Sequence, residues 1–184
     1  ALGIYPFEQK PDFDIDAELE FIEKNRDKIV AIGECGVDFK HPNPEQKAVF
    51  EKQISLAEKL KKPLIIHSRQ AEEDVVNLLE SSNAKVLLHC FSGKLSLVKK
   101  GMDLGFYFSI PTNIVRSEHF KKMVELIEIN QLFAETDSPF LSPFKDQQNQ
   151  PAFVIESYKE IAKIKGFELD EVRNNLYLNF MRLF

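Results

Sequence analysis

The segment Pro63-Leu64-Ile65-Ile66-His67 places four apolar residues directly before a side chain that can bind metal. A short apolar run of this length, bounded by polar residues, is typical of a strand that is buried on both faces. Val75, Leu78 and Leu79 follow it at helical spacing. The segment therefore predicts one strand–helix unit with a polar residue at the carboxyl end of its strand.

The same unit recurs at three other places along the chain. The other runs are Ile29-Val30-Ala31-Ile32-Gly33-Glu34, Val86-Leu87-Leu88-His89 and Leu132-Phe133-Ala134-Glu135-Thr136-Asp137. Because the carboxyl ends of parallel strands meet at one edge of a sheet, we expect the four polar residues that end these runs to converge. The alternation of strands and helices predicts a parallel α/β protein with right-handed crossovers, in a single domain over residues 1–184.

Strand alternation predicts which side chains share a side of each strand. The predicted sets are Val30, Ile32 and Glu34; Ile65 and His67; Leu87 and His89; and Phe133, Glu135 and Asp137. If those sides face a barrel interior, the polar residues lie above a stack of aliphatic side chains. Cys35 and Cys90 fall on the opposite side and are predicted to be core residues rather than ligands.

The composition is that of a globular protein, with 43% hydrophobic and 29% charged residues in 184. No apolar stretch reaches the length that crosses a bilayer, so no membrane partner is expected. Two cysteines do not make a disulfide framework, which favours a reducing, cytoplasmic setting. The net charge of −5 argues against broad electrostatic capture of nucleic acid, although it is compatible with a local phosphate site.

Imidazole and carboxylate donors together suit a divalent ion such as Zn²⁺, Mn²⁺ or Mg²⁺. One carboxylate can bridge two ions about 3.5–4 Å apart, which clamp the oxygens of a phosphoryl transfer, and Glu34 suits that role. Asp137 suits the ordering of a water molecule or the removal of its proton. A single histidine at a strand end is more often structural, so the prediction rests on four polar residues in one register.

Other polar residues are weaker candidates. Asp38 and Glu135, taken alone, fit loop or cap residues, and His41 and His119 are predicted to be solvated surface residues. Arg69 and Lys94 each follow a ligand strand, where a substrate phosphate would lie, but a salt bridge at a helix start also explains them. Asp170 is predicted to be the N-cap of the last helix.

Four segments together resemble the motifs of a known family. They are Gly33-Glu34-Cys35-Gly36-Val37-Asp38, Pro63-Leu64-Ile65-Ile66-His67-Ser68-Arg69, His89-Cys90-Phe91-Ser92-Gly93 and Glu135-Thr136-Asp137-Ser138-Pro139. In order and spacing they resemble the TatD deoxyribonucleases, metal-dependent hydrolases of the amidohydrolase-like superfamily. The resemblance covers essentially the whole chain, and the motifs are specific only when taken jointly.

The resemblance implies a TIM-barrel-type (βα)8 fold, two divalent metal ions and hydrolysis of phosphodiester bonds in DNA, typically as a 3′–5′ exonuclease. It implies that Glu34 is the bridging carboxylate and that Asp137 is the acid/base group in contact with metal. The residues implied at the site are the metal ligands Glu34, His67, His89 and Asp137, the catalytic residues Asp137 and Glu34, and the substrate neighbours Arg69, Tyr5 and Glu135.

Three features depart from the family pattern. The family's opening strand carries a His-x-His pair for the other metal, and this chain begins with Ala1-Leu2-Gly3-Ile4-Tyr5-Pro6, where the family's third strand ends. Tyr5 stands where the family commonly has a histidine beside the substrate phosphate. The loop after Pro139 keeps Asn149 but lacks the usual arginine, for which Lys145 substitutes in charge and not in bidentate geometry.

Five full strands and the tail of a sixth are too few to close an eight-stranded barrel. We therefore expect upstream residues, another chain over the open side, or a reduced fold, and we expect impaired or single-metal catalysis from these 184 residues alone. Two alternatives stay open. One is a truncated non-catalytic chain or scaffold of the TatD type; the other is a metal-dependent hydrolase of another ester or amide bond.

Overall fold

The computed structural model describes residues 1–6 and 13–184, which form two compact units. Unit 1 comprises Ala1–His89 with Phe184, and unit 2 comprises Cys90–Leu183. Strands alternate with helices in both units, so the predicted α/β architecture is confirmed. The assignment of residues 1–184 to a single domain stays a prediction.

Unit 1 holds three of the strands and three of the α-helices. They are α1 (Ile15–Lys24), β1 (Ile32–Asp38), α2 (Gln46–Leu60), β2 (Leu64–Arg69), α3 (Glu72–Leu79) and β3 (Val86–Leu88), with a short 3₁₀ helix at Arg26–Lys28. β1 pairs with β2 and β2 with β3, all in parallel. The predicted strand end at the start of the chain makes one parallel bridge, from Leu2 to Ile32.

Burial explains why these apolar runs form the sheet of unit 1. Ile32, Leu64, Ile66 and Leu88 are fully buried, and α2 lays Phe50 against the same core. Removing each such side chain from water contributes roughly 1.5–3 kcal/mol to folding. Packing of these apolar side chains therefore fixes the two strands, β1 and β2, that carry the polar residues.

β1 differs from the predicted alternation. It begins at Ile32, and Val30 lies outside it with 55% of its surface exposed, so the prediction that Val30 shares a buried side with Ile32 and Glu34 is wrong. The register between β1 and β2 shifts between Gly33 and Cys35, which leaves Glu34 as the extra residue of a bulge. A bulge bends the strand and redirects one side chain, so the direction of Glu34 does not follow from strand periodicity.

Unit 2 holds the other two strands and four α-helices of the described residues. They are α4 (Leu95–Asp103), β4 (Tyr107–Pro111), α5 (Glu118–Leu126), β5 (Leu132–Glu135), α6 (Val154–Lys165) and α7 (Leu169–Leu183), with 3₁₀ helices at Thr112–Val115, Ile129–Gln131 and Pro151–Phe153. β4 and β5 are parallel neighbours. No helix within residues 1–6 and 13–184 has the length and apolar character that crossing a membrane requires.

Helix starts in unit 2 follow the sequence signals in one case and not in another. Ser117 caps α5, because its hydroxyl accepts a hydrogen bond from the backbone N–H of Phe120. Asp170 is not an N-cap, since α7 already begins at Leu169. Asp170 instead lies in the first turn, where its negative charge complements the helix dipole and pairs with Arg173.

The two cysteines are free thiols, as the sequence predicts. Cys35 is completely buried in unit 1, and burial raises the pKa of its thiol far above the ordinary value. Cys90 in unit 2 is partly exposed and has a left-handed φ of 42°. Its backbone N–H donates to Oε1 of Glu135 at 2.8 Å.

Candidate active site

Three of the four predicted ligands lie together in unit 1. Oε1 of Glu34 is 2.9 Å from Nδ1 of His67 and 3.7 Å from Nε2 of His89. Side-chain exposures of 33%, 13% and 17% make the three groups accessible at one surface while their strands are buried. The structure thus brings the Glu34 carboxylate close to both imidazoles, as predicted. The predicted placement at strand ends is wrong for Glu34 and His67, which lie within β1 and β2, whereas His89 directly follows β3.

Asp38 completes this cluster, although sequence reasoning treated it as an ordinary loop or cap residue. Its Oδ2 lies 3.1 Å from Nε2 of His67, and its side chain has no exposure at all. A carboxylate on one nitrogen of a histidine fixes the ring and presents the other nitrogen for coordination. The available signal was positional, since Asp38 ends β1 and pairs in register with Arg69, two residues beyond His67.

The backbone of β1 is built for close approach to β2 beside His67. Gly36 has a φ of 141°, and a Cβ at this position would overlap the carbonyl oxygen of His67. At the end of the strand, Gln46 of α2 accepts from the backbone N–H of Asp38 at 2.8 Å. The side chain of Asp38 accepts from the N–H of Lys40 at 2.8 Å, which closes the turn around the carboxylate.

Tyr5 reaches the cluster because α2 holds the start of the chain. The side chain of Gln53 accepts from the N–H of Ile4 at 2.7 Å and donates to the carbonyl of Ile4 at 3.1 Å. The hydroxyl of Tyr5 then lies 3.4 Å from Nδ1 of His67, and the two rings meet edge to face at 5.1 Å. Tyr5 therefore contacts one of the two histidines that are predicted to be ligands.

The two carboxylates of the cluster are held in their ionised forms. Burial alone would raise the pKa of Glu34, but the hydrogen bond to His67 and the charges of His89 and His67 bring it below the ordinary value of 4.5. Burial likewise opposes ionisation of Asp38, yet hydrogen bonds with His41 and His67 lower its pKa below the ordinary value of 3.8. Both groups are therefore anions at neutral pH.

This donor set fits a divalent ion by its chemistry. Bonds of about 2.1 Å in tetrahedral geometry separate two donor atoms by roughly 3.4 Å, close to both distances from Glu34 to the histidines. Glu34 and His67 bond directly, and no three His, Cys, Asp or Glu side chains among residues 1–6 and 13–184 surround a shared centre for a metal ion. Opening that bond by about half an ångström gives the separation that two ligands of one ion require.

Asp137 lies in unit 2, on the loop that follows β5. Its φ of 56° is in the left-handed region, and its carbonyl accepts from the N–H of Phe140 at 2.8 Å. The peptide bond between Ser138 and Pro139 is cis. The fourth predicted ligand is therefore presented by a turn and not by a strand.

Asn149 fixes this loop, a role that the sequence analysis did not assign. It is 5% exposed, and its Nδ2 lies 2.6 Å from the carbonyl of Thr136, 2.7 Å from that of Phe140 and 2.8 Å from the hydroxyl of Thr112. The two carbonyls flank Asp137 on either side. One buried amide thus ties the turn around Asp137 to the end of β4.

The predicted substrate neighbours have different surroundings. Glu135 ends β5 and bonds to the backbone of Cys90 through Oε1. Arg69 ends β2 with an exposed side chain, while its carbonyl accepts from the N–H of Phe39 at 2.9 Å. Lys94 is exposed at the start of α4. Substrate contact by Arg69, Tyr5 and Glu135 stays a prediction.

Two histidines that were predicted to be solvated contact neighbouring side chains. His41 keeps 44% side-chain exposure, but its Nδ1 lies 3.3 Å from Oδ2 of Asp38. His119 is half-buried, with its ring edge-on to Phe120 at 5.7 Å. The prediction is therefore wrong for His119 and incomplete for His41, since a loop or helix position does not reveal what packs over it.

Comparisons with known proteins show the family of the chain. The chain belongs to the TatD-related DNase family, which it matches over residues 1–184. An uncharacterised metal-dependent hydrolase of Methanocaldococcus jannaschii is 39% identical over 186 residues, which cover 100% of this chain and 74% of that protein. The human deoxyribonuclease TATDN3 is 37% identical over 200 residues, covering 100% of this chain and 73% of the human protein.

Solved structures show the same fold. The TatD homologue YJJV of Escherichia coli superposes with a TM-score of 0.87 at 24% identity, over 100% of this chain and 75% of that protein. A TatD-family hydrolase of Entamoeba histolytica gives a TM-score of 0.86 at 24% identity, over 100% of this chain and 73% of that protein. The fold class predicted from the motifs is confirmed, and the protein is a metal-dependent hydrolase of the TatD type.

Proposed function

We propose that this protein hydrolyses phosphodiester bonds of DNA in a reaction that depends on divalent metal ions, as a 3′–5′ exonuclease. The observation that carries the proposal is the position of the Glu34 carboxylate between His67 and His89, with Asp38 fixed behind His67. The name of human deoxyribonuclease TATDN3, to which the chain is similar, supports DNA as the substrate.

Glu34, His67 and His89 would hold the ion, which is Zn²⁺, Mn²⁺ or Mg²⁺, with Glu34 as the group able to bridge to a second one. When bound, such ions neutralise phosphate charge and make water a nucleophile near neutral pH. Glu34 stays ionised for this task because its pKa is lowered. Asp38 keeps Nε2 of His67 engaged, so that Nδ1 remains directed at the ion.

Asp137 supplies the acid/base group, and its contact with metal stays a prediction. As the water oxygen bonds to phosphorus, the Asp137 carboxylate takes a proton from that water. The bond between phosphorus and the 3′ oxygen breaks, and Asp137 returns the proton to this leaving oxygen. The left-handed turn and the bonds from Asn149 fix the backbone on both sides of this carboxylate. Tyr5 and Arg69 are the proposed substrate contacts, and the cytoplasmic setting stays a prediction.

The test is degradation of a single-stranded oligonucleotide by metal-stripped protein to which Mg²⁺, Mn²⁺ or Zn²⁺ is restored. A 5′-labelled strand should give a ladder of successively shorter products, whereas a 3′-labelled strand should release labelled mononucleotide at once. Asp137→Asn should lower kcat by roughly 10²–10⁴-fold. Asp103→Asn, an exposed site on α4 with the same change of charge, should stay within about twofold of wild type.

Three results would contradict the proposal. Absence of any metal-dependent nucleotide release would remove DNA as the substrate. Faster turnover of small carboxylic esters or amides would move the activity to another bond. Equal rates for Asp137→Asn and Asp103→Asn would remove Asp137 from the reaction.

A further inference from the structure

A cavity of about 640 Å³ opens in unit 2 beside the turn that carries Asp137. Most of the loop 139–148 lines it, together with Arg116. Pro139 is part of the lining and stands two residues after Asp137, so their Cα atoms are at most about 7 Å apart. One wall of the cavity therefore lies close to the backbone of Asp137, which is not itself part of the lining.

The cavity presents two cations without partners. Arg116 and Lys145 are both exposed, and within residues 1–6 and 13–184 neither side chain takes part in a hydrogen bond or an ion pair. Asp146 is the one acidic residue in the lining, so the positive charges outnumber the negative. In a chain of net charge −5, this local excess favours an anionic ligand.

The cavity also presents an aromatic ring. Phe144 keeps 43% exposure, and its ring packs edge-on against Phe153 with 4.9 Å between centroids. That contact holds the ring in place and leaves part of it uncovered. Cations that follow a sugar–phosphate backbone and an aromatic ring on which a base stacks are the two elements of single-strand recognition.

The lining is held in shape without a ligand. The hydroxyl of Thr112 donates to the carbonyl of Leu141 at 2.8 Å, and Asn149 bonds to Phe140 and Thr136. The loop therefore loses little further conformational entropy when a ligand binds. A preformed cavity of this size accommodates a nucleotide.

We propose that this cavity binds the nucleotide next to the scissile phosphate of a single DNA strand. Arg116 and Lys145 contact its phosphate, and Phe144 stacks on its base. The inference rests on the proposed function, because it places the scissile phosphate at Asp137. It adds a subsite that makes the enzyme prefer a strand over a minimal phosphodiester.

The first experiment measures binding alone. Fluorescence anisotropy of a fluorescein-labelled ten-nucleotide thymidine strand, with a chelator present, reports affinity without turnover. Arg116→Gln combined with Lys145→Gln should weaken binding at least tenfold and reduce the slope of log affinity against log salt by about 1.4. Lys163→Gln is the control, because Lys163 is an exposed cation on α6 outside the cavity. It should change neither the affinity nor the salt slope.

Stacking is tested by Phe144→Ala, which should weaken strand binding by about five- to 100-fold with an unchanged salt slope. Phe167→Ala is the matched control, because Phe167 has a similar exposure of 39% and is not part of the cavity lining. Thermal melts of all variants confirm that each is folded. Equal effects of the cavity and control variants in both measurements would overturn the subsite.

The second experiment separates this inference from the proposed function. On the strand, the double variant should lose at least tenfold more kcat/KM than on bis(p-nitrophenyl) phosphate, which has no adjoining nucleotide. Equal losses on both substrates would overturn the subsite while leaving the hydrolase intact. Wild-type protein that cleaves neither substrate would refute the proposed function, and the binding measurement would still decide the subsite.

Discussion

The two regions that carry the predicted site residues are held in place in opposite ways. In unit 1, Glu34 and His67 project from paired strands, and side chains bond to side chains around them. In unit 2, Asp137 lies on a turn that one buried amide holds through backbone carbonyls. The strand-mounted cluster suits fixed metal coordination, whereas the turn suits a group that must meet substrate.

This contrast predicts that damage to the two regions has separable effects. A change in the cluster of unit 1 should lower mainly metal affinity, and a change in the turn of unit 2 should lower turnover more than metal affinity. Four substitutions or conditions test the separation.

The largest expected effect is that of Gly36→Ala in the strand-mounted region. The new Cβ would overlap the backbone of His67 at a φ of 141°, so β1 and β2 must separate. We expect a loss of about 3 kcal/mol or more in the free energy of unfolding, measured by urea denaturation. Gly105→Ala is the control, since its φ of 77° is also unfavourable but no atom lies within 4 Å of the new Cβ. A loss of only about 1–2 kcal/mol is expected there, and equal losses would show that packing against His67 is unimportant.

The next effect is that of Asn149→Ala in the turn. Carbonyls of Thr136 and Phe140 lose their donor, which should cost about 1–3 kcal/mol of stability. Because the turn then holds Asp137 less well, kcat should fall at least tenfold, and by a larger factor than the affinity for Zn²⁺. Asn175→Ala removes one exposed bond to Glu171 on α7 and should change neither quantity. A loss of Zn²⁺ affinity as large as the loss of kcat in Asn149→Ala would contradict the separation of the two regions.

Asp38→Asn should lower the affinity for metal and leave the geometry of the Asp137 turn unchanged. The amide still accepts from the N–H of Lys40 but holds His67 less firmly, so we expect a 10–100-fold loss of Zn²⁺ affinity in competition with a chelator. His41→Ala removes the other partner of the same carboxylate and is the matched control, with a change within about twofold. If the two variants bind Zn²⁺ equally well, Asp38 has no positioning role.

The smallest effect is a pH dependence of stability in metal-free protein. The folded-state pKa of Asp38 lies below 3.8, so its stabilising contribution is present above pH 3.8 and is lost as the pH falls through that lower pKa. Wild type should therefore lose more unfolding free energy than Asp38→Asn on acidification from about pH 4 to about pH 2.5. Parallel stability curves for the two proteins would show that the carboxylate contributes nothing as an anion.

Local patterns predicted the strands and helices because apolar runs and caps are signals within a few residues. They also predicted that Glu34, His67 and His89 converge, which strand pairing brings about. They placed Glu34 and His67 at strand ends, whereas both residues lie within their strands, because β1 and β2 continue to Asp38 and Arg69. Asp38 was missed as a partner of His67, since the contact spans 29 residues and depends on a bulge that no local pattern reveals. The role of Asn149 depends on closure of a loop onto Thr112, 37 residues away.

The two bonds between Gln53 and Ile4 have a consequence for the start of the chain. Residues near a terminus usually fray, and their amide protons exchange with solvent almost freely. Here the amide proton of Ile4 is locked by a side chain in the middle of α2, so its exchange requires opening of that helix contact. Slow deuterium uptake at Ile4 would mark the first residues as part of the most stable cooperative unit, with Tyr5 carried along beside His67.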